Sequence, residues 1–226
     1  MERSQVAIVI PALNEESTIF NVISKALNYG VVIVVNDGSI DETKRISKLA
    51  GAIVVNHDFN QGYDAALNSG FKEAELRGFE YILSIDADGQ HNPLLIKEIL
   101  DEFKPGIDVV SAIRDKKQRI GEHIFDLFTC TFLSIRDPLC GMKAFKVKIL
   151  KDKKSFNTFD SIGTELVIFA SIKGYKISQI NILTNERKDK SRFKGSIIGN
   201  YKILRALFIT IMKIIVYKLV AKSKLI

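Results

Sequence analysis

Four short runs of apolar, largely β-branched residues constrain this chain more than any other feature: Val6–Ile10, Val31–Val35, Ala52–Asn56 and Tyr81–Ile85. None alternates with polar residues, so each reads as a strand buried on both faces. Between the first two, Ile19, Val22, Ile23, Ala26 and Leu27 recur at helical spacing within Glu15–Asn28, behind Asn14, a residue suited to capping a helix N-terminus. Asp41–Leu49, Tyr63–Arg77 and Leu94–Phe103 read as the next helices, and Gly30, Gly51 and Gly78 fall where helices should end. Strand and helix repeating in this way imply an α/β fold with a parallel, right-handedly wound sheet.

The rhythm loosens after a further strand at Asp108–Ala112. His123–Ile135 reads as a helix with Ile124, Leu127, Phe128, Thr131 and Phe132 on one side, Cys140–Phe145 as a strand, Asp160–Lys173 as a helix and Ile177–Leu183 as a last strand. Thr184–Ser196 is polar and basic without apolar period, as expected of a mobile loop. Ile197–Ile226 is apolar and helical, yet its best window, Leu207–Val220, contains Lys213 and Lys218. A bilayer span needs about 20 apolar residues, so this stretch should not cross a membrane alone. Lys202, Arg205 and Lys213 share a helical face, with Lys218 nearly opposite, which leaves an interfacial helix or one packed on the domain or on a second subunit.

At 226 residues, with 46% apolar and 26% charged, the chain has the balance of one globular domain. Cys130 and Cys140 read as reduced thiols, which excludes a disulfide scaffold. No signal peptide is expected, because Met1–Gln5 runs straight into the first strand. The formal charge of +7 favours anionic partners, and the excess gathers in Lys143–Lys154 and Arg187–Arg205. Nucleic acid is not the expected partner, since no aromatic-studded basic platform or recognition helix is present.

Open α/β sheets bind ligands at the carboxyl ends of their strands. Pro11-Ala12-Leu13-Asn14-Glu15-Glu16, Asn36-Asp37-Gly38-Ser39-Ile40-Asp41 and Asp86-Ala87-Asp88-Gly89-Gln90-His91 all stand at such ends. In extended backbone, residues two apart point to one side, so Asp86 and Asp88 can face a common point. Two carboxylates about 4 Å apart repel by roughly 4 kcal/mol at an effective dielectric of 20. A divalent cation removes that repulsion, and hard oxygen donors suit Mg²⁺ or Mn²⁺, with Gln90 as a further oxygen donor.

These motifs, together with Asn60-Gln61-Gly62 and Asp137-Pro138-Leu139-Cys140-Gly141-Met142-Lys143-Ala144-Phe145, resemble the family 2 inverting glycosyltransferases of GT-A fold. Within that family they look most like the dolichyl- or polyprenyl-phosphate sugar synthases. The resemblance implies a GT-A catalytic domain over residues 1–196, a single Rossmann-like, mostly parallel sheet flanked by helices, with a helical extension over 197–226. It implies that Pro11, Ala12, Asn14 and Glu15 wrap the base and ribose of a GDP- or UDP-linked donor and that Asp37 accepts a hydrogen bond from the base. Asp86, Asp88 and Gln90 would hold the metal on the donor diphosphate. Arg114 would meet the acceptor phosphate, and Lys143, standing where arginine is usual, would add positive charge without the bidentate fork. Arg187, Arg192 and Lys194 would close over the phosphates from the mobile loop. Tyr63-Asp64 departs from the small or basic residues of many relatives.

The implied reaction is one in-line displacement at the anomeric carbon of the sugar, at the cytoplasmic face of a membrane that holds a polyprenyl-phosphate acceptor. A phosphate is already anionic at neutral pH and needs positioning rather than a base. If the acceptor is instead a sugar or lipid hydroxyl, Asp137 and Glu165 are the candidate bases. His57 and His123 read as incidental, and His91 adjoins the metal motif. Processive polysaccharide synthases are disfavoured, because their acceptor motif uses tryptophan and this chain has none. A non-catalytic nucleotide-binding module, a homo-oligomer and attachment through a membrane protein are the remaining alternatives.

Overall fold

The computed structural model describes residues 2–89, 91–117, 119–153, 161–184 and 196–223. Seven strands form one sheet: β1 (Val6–Ala12), β2 (Val31–Asp37), β3 (Ile53–His57), β4 (Tyr81–Ser84), β5 (Val109–Arg114), β6 (Lys143–Lys146) and β7 (Ile177–Ile182). Their order is β3-β2-β1-β4-β6-β5-β7, and only β6 runs antiparallel to its neighbours. The expected α/β fold with a mostly parallel sheet is thus the observed one. The winding reverses between β1 and β4, and at such a point the loops beyond the strands part to leave a crevice.

β1, β2 and β4 are buried from both sides because helices cover both faces, whereas β3 is corrected from a fully buried strand to a half-buried one, since it lies at the sheet edge. One face is closed by α1 (Ile19–Ala26), α2 (Thr43–Leu49) and α4 (Leu95–Asp101), with Ile19, Ile23, Ile96 and Ile99 packed on Ile8, Ile10 and Leu83. The other is closed by α3 (Tyr63–Leu76), α6 (Val147–Lys153) and α7 (Ile162–Ile172), with Phe71, Leu166 and Phe169 packed on Val9, Ile82 and Phe145. A third cluster joins α7 to α5 (Ile120–Leu133) and α8 (Ser196–Ser223) through Phe125, Ile168, Leu207 and Ile214.

Three local expectations are corrected. Helix α1 begins at Ile19 rather than at Glu15, because residues 13–18 form a loop in which Asn14 takes a left-handed φ of 52° instead of capping the helix. The strand expected at Cys140–Phe145 is shifted to Lys143–Lys146, where Phe145 pairs with Ile82 on one side and Val109 on the other. The Lys146–Lys154 run, whose density of lysine reads from sequence as a solvated face, is only partly that. It forms α6, which buries Val147, Ile149 and Leu150 while its lysines point outward or pair with acids.

Candidate active site

The loops beyond β1 and β2 are laced together. Asn14 donates its backbone N–H to Ser39 Oγ at 3.0 Å, and its Oδ1 accepts the Ile40 N–H at 3.0 Å. Glu15, almost fully buried, donates its N–H to Thr43 Oγ1 at 2.7 Å, and its carboxylate accepts the Thr18 hydroxyl at 3.2 Å. Glu16 and Asp41 tie the same loops through the Glu16 N–H to Asp41 Oδ2 and the Glu42 N–H to Glu16 Oε2. Burial works to raise the Asp41 carboxyl, but hydrogen bonds from Thr43 and Glu16 outweigh it and hold it below its usual range. Pro11 and Ala12 end the buried strand behind this loop, with Ala12 in register with Asn36.

Asp37 closes β2 and is 3% exposed. Its Oδ1 accepts the Gln61 N–H at 2.9 Å and lies 2.7 Å from His57 Nδ1, and its Oδ2 accepts the Gly62 N–H at 2.9 Å. His57 Nε2 in turn meets Ser69 Oγ at 2.9 Å. Three of the carboxylate's roughly four acceptor positions are therefore engaged within the chain. His57 is not incidental, as read from sequence: it orients Asp37. Gly62, held at φ 97°, then delivers the chain into the first turn of α3, where an L side chain would be strained.

That turn carries Tyr63 to the end of β4. The Tyr63 hydroxyl donates to Asp86 Oδ1 at 2.7 Å, and burial together with Asp86 pushes its pKa well above the ordinary range, so it stays protonated. The other oxygen, Asp86 Oδ2, lies 3.5 Å from His91 Nδ1, too far for a hydrogen bond, and that buried nitrogen has no partner of its own. Burial disfavours the charged imidazole of His91, yet Cys140, Asp86 and Asp88 outweigh it and raise its pKa to about 9. Gly141 backs the pocket: a Cβ there would stand 2.4 Å from Asp86 Oδ2, and the Gly141 carbonyl accepts the Ser84 hydroxyl at 2.8 Å. Asp86 and Asp88 are half-buried on either side of the buried Ala87, in the turn that follows β4 rather than in the extended segment expected from their spacing.

Among the described residues, no three or more His, Cys, Asp or Glu gather as metal ligands. Two carboxylates nonetheless fit a hard cation that keeps waters and takes its remaining ligands from substrate phosphates. An oriented Asp86 adjoining Asp88 would fit such a donor set. The third expected donor, Gln90, and the loop cations Arg187, Arg192 and Lys194 lie outside the described residues.

At the end of β5, Arg114 grips Asp137 with two side-chain bonds, Nε to Oδ2 and Nη2 to Oδ1, each 2.8 Å, while its own N–H adds a third at 2.9 Å. Glu122 accepts from Arg114 Nη2 and from Arg119 Nη1, each at 3.3 Å. Burial would raise the Asp137 carboxyl, but Arg114 overrides it and holds the pKa below the ordinary range, while Arg114 is stabilised in its charged form. Asp137, 1% exposed and held on both oxygens by Arg114, stands here as a buried counter-ion rather than as an accessible carboxylate. Arg114 is likewise committed to two acids rather than standing free for a phosphate. Glu165, the other candidate base, pairs with Lys153 at 2.8 Å.

Lys143, expected from the resemblance to bind phosphate, is 2% exposed and donates to the Cys140 carbonyl; burial lowers its pKa, against the pull of Cys140, Asp137 and Asp86. It lies on β6 between Ser84 and Ser111, inside the sheet. Sequence reading missed Tyr63, His57, Gly141 and Glu122 as site-building residues. Tyr63 left a signal as a departure from the family pattern and Gly141 as part of the Asp137–Phe145 motif; His57 and Glu122 depend on long-range contacts.

The chain and its fold match known proteins. The family model described as glycosyl transferase family 2 covers residues 7–163. An uncharacterized protein of Methanocaldococcus jannaschii is 32% identical over 90% of this chain and 91% of its own. A Methanococcus voltae protein named UDP-N-acetylglucosamine–dolichyl-phosphate N-acetylglucosaminyltransferase is 28% identical over 78% of this chain and 84% of its own. Among solved structures, glucosyl-3-phosphoglycerate synthase from Mycobacterium tuberculosis, in complex with Mn²⁺, UDP and glucosyl-3-phosphoglycerate, superposes with a TM-score of 0.73 at 19% identity, covering 93% of this chain and 79% of its own. With the motifs in order along a sheet of this topology, the chain belongs to glycosyl transferase family 2 and is a glycosyltransferase of GT-A fold.

Proposed function

We propose that this enzyme moves a sugar from a UDP- or GDP-linked donor to a polyprenyl or dolichyl phosphate, inverting the anomeric centre in one displacement. The observation that carries the reading is the fixed Asp86 carboxylate beside Asp88 at the crevice between β1 and β4, where a donor diphosphate belongs. Asp86 and Asp88 would hold Mg²⁺ or Mn²⁺, which when bound neutralises charge growing on the departing nucleoside diphosphate. The Mn²⁺ and UDP in the mycobacterial neighbour support that assignment.

The chain's own residues do the rest by positioning. The braced loops around Asn14, Glu15 and Asp37 form the nucleotide side, and Tyr63 holds Asp86 at the diphosphate. The Arg114–Asp137–Glu122–Arg119 network fixes the rim on the acceptor side, with Arg187, Arg192 and Lys194 proposed as the loop cations. A phosphate acceptor needs no base, which agrees with an Asp137 locked by Arg114. The name of the Methanococcus voltae relative supports a dolichyl-phosphate acceptor, and with it a place at the cytoplasmic membrane face.

The test is incubation with a panel of nucleotide sugars, Mn²⁺ and a short-chain polyprenyl phosphate, followed by mass spectrometry. A lipid-linked monosaccharide with release of nucleoside diphosphate is expected. Transfer only to a sugar or lipid hydroxyl would replace the acceptor, and a chain that binds nucleotide without turnover would be a binding module.

A further inference from the structure

One short piece of backbone joins the end of β2 to the end of β4. Gly62 donates its N–H to Asp37 Oδ2 at 2.9 Å, shares it with Asn60 Oδ1 at 2.9 Å, and accepts the Ala66 N–H on its carbonyl at 3.0 Å as α3 begins. The Gln61 N–H on Asp37 Oδ1, also at 2.9 Å, fixes the peptide before it. Asp37 thus holds two successive peptides immediately ahead of Tyr63, while His57 holds Asp37 from behind. Bonds to an ionised carboxylate are roughly twice as strong as neutral ones. On the far side of Tyr63, Asp64 Oδ1 accepts the Ile162 N–H at 2.6 Å, which ties the same turn to the start of α7.

Tyr63 needs such an anchor. It is 47% exposed, so core packing does not place its ring, yet its hydroxyl reaches Asp86 Oδ1 at 2.7 Å. Where that hydroxyl lies is set by the backbone that carries it. A small rotation of the first turn of α3 is amplified at the end of so long a side chain and would withdraw the phenol from Asp86. Asp37 is built for bracing. It is 3% exposed, and three of its roughly four acceptor positions are taken by the Gln61 and Gly62 N–H groups and by His57. A buried carboxylate with its acceptors so filled suits holding a loop better than reading a ligand.

We infer that Asp37 is a positioning residue for the cation site: by holding the Gln61 and Gly62 peptides it sets Tyr63, and through Tyr63 the Asp86 carboxylate. A residue of the nucleotide side thereby governs the grip on the cation. The inference rests on the reading that Asp86 and Asp88 hold a divalent cation, and the experiment separates the two. Mn²⁺ alone, without nucleotide, is titrated into the full chain and followed by electron paramagnetic resonance, for the parent, Asp37→Asn, Tyr63→Phe and the double variant. Asp37→Asn should weaken Mn²⁺ binding by about fivefold or more in the parent, but by less than about twofold in the Tyr63→Phe background. Loss of a distant negative charge, or a general loosening of the fold, would act equally in both backgrounds. Gly62→Ala repeats the test without a change of charge. At φ 97° an L residue is strained, although among the described residues nothing stands within 4 Å of a Cβ there, and the same Tyr63-dependent loss is expected.

Equal losses with and without Tyr63 overturn the inference, as does Mn²⁺ affinity unchanged by both Asp37→Asn and Gly62→Ala; either result leaves the cation at Asp86 and Asp88. Mn²⁺ binding that persists undiminished in Asp88→Ala overturns the cation reading itself, and the inference with it. Should circular dichroism show that Asp37→Asn does not fold, Gly62→Ala with and without Tyr63→Phe decides the outcome.

Discussion

The Tyr63 hydroxyl, on the first turn of α3, donates to Asp86 Oδ1 at 2.7 Å across the crevice beyond β4. It fixes the orientation of a carboxylate whose other oxygen is confined by Gly141 and faces His91. Groups that orient a ligating carboxylate typically contribute 10- to 100-fold to metal affinity. Tyr63→Phe should therefore weaken binding of Mn²⁺ alone by about tenfold, as read by electron paramagnetic resonance, with the far-ultraviolet circular dichroism unchanged. Equal or tighter binding would mean that the phenol merely covers Asp86.

Gly141 is the second support. A methyl group there would stand 2.4 Å from Asp86 Oδ2, so either the carboxylate or the loop before β6 must move. We expect Gly141→Ala to reduce sugar transfer by about 100-fold, as misplacement of a catalytic group by about 1 Å does, and to lose about 1–3 kcal/mol of stability from overpacking. Chemical denaturation and initial-rate assays check the two numbers. Full activity would show that Asp86 has room the structure does not give it.

Asp137 and Arg114 form a buried pair, so removing one charge strands the other. Asp137→Asn should destabilise by about 3–5 kcal/mol near neutral pH. The folded pKa of Asp137 lies below its unfolded value, so its contribution is present above the ordinary carboxylate range and is lost as pH falls through the folded value. The acid limb of the stability curve should accordingly be shallower in Asp137→Asn than in the parent. Parallel acid limbs would contradict the pairing.

His57 bridges Asp37 and Ser69 inside the nucleotide side of the site. His57→Ala leaves Asp37 with only the Gln61 and Gly62 N–H groups and should cost about 1–3 kcal/mol, with donor affinity falling alongside. Unaltered melting temperature together with unaltered donor binding would remove His57 from the clamp.

The strands at Val6, Val31 and Tyr81 were legible because burial on both faces forces continuous apolar runs, a pattern that needs no partner to be recognised. The Asp86–Asp88 pair stood out as two carboxylates just past a buried strand, but the turn that holds them could not be read from an extended spacing. The roles of Asp137 and His57 were not. A carboxylate reads as base or counter-ion according to what lies beside it, and Arg114 is 23 residues away in sequence. Asn14 misled because a cap and a loop brace use the same side-chain oxygen; only the left-handed backbone and the Ile40 N–H distinguish them.

Isothermal titration of UDP into the parent chain and into Asp88→Ala, each with and without Mn²⁺, tests the central claim most directly. The account predicts that Mn²⁺ strengthens nucleotide binding to the parent by at least about tenfold and that Asp88→Ala abolishes this gain. Strengthening by Mn²⁺ that persists undiminished in Asp88→Ala would place the cation elsewhere and contradict the account.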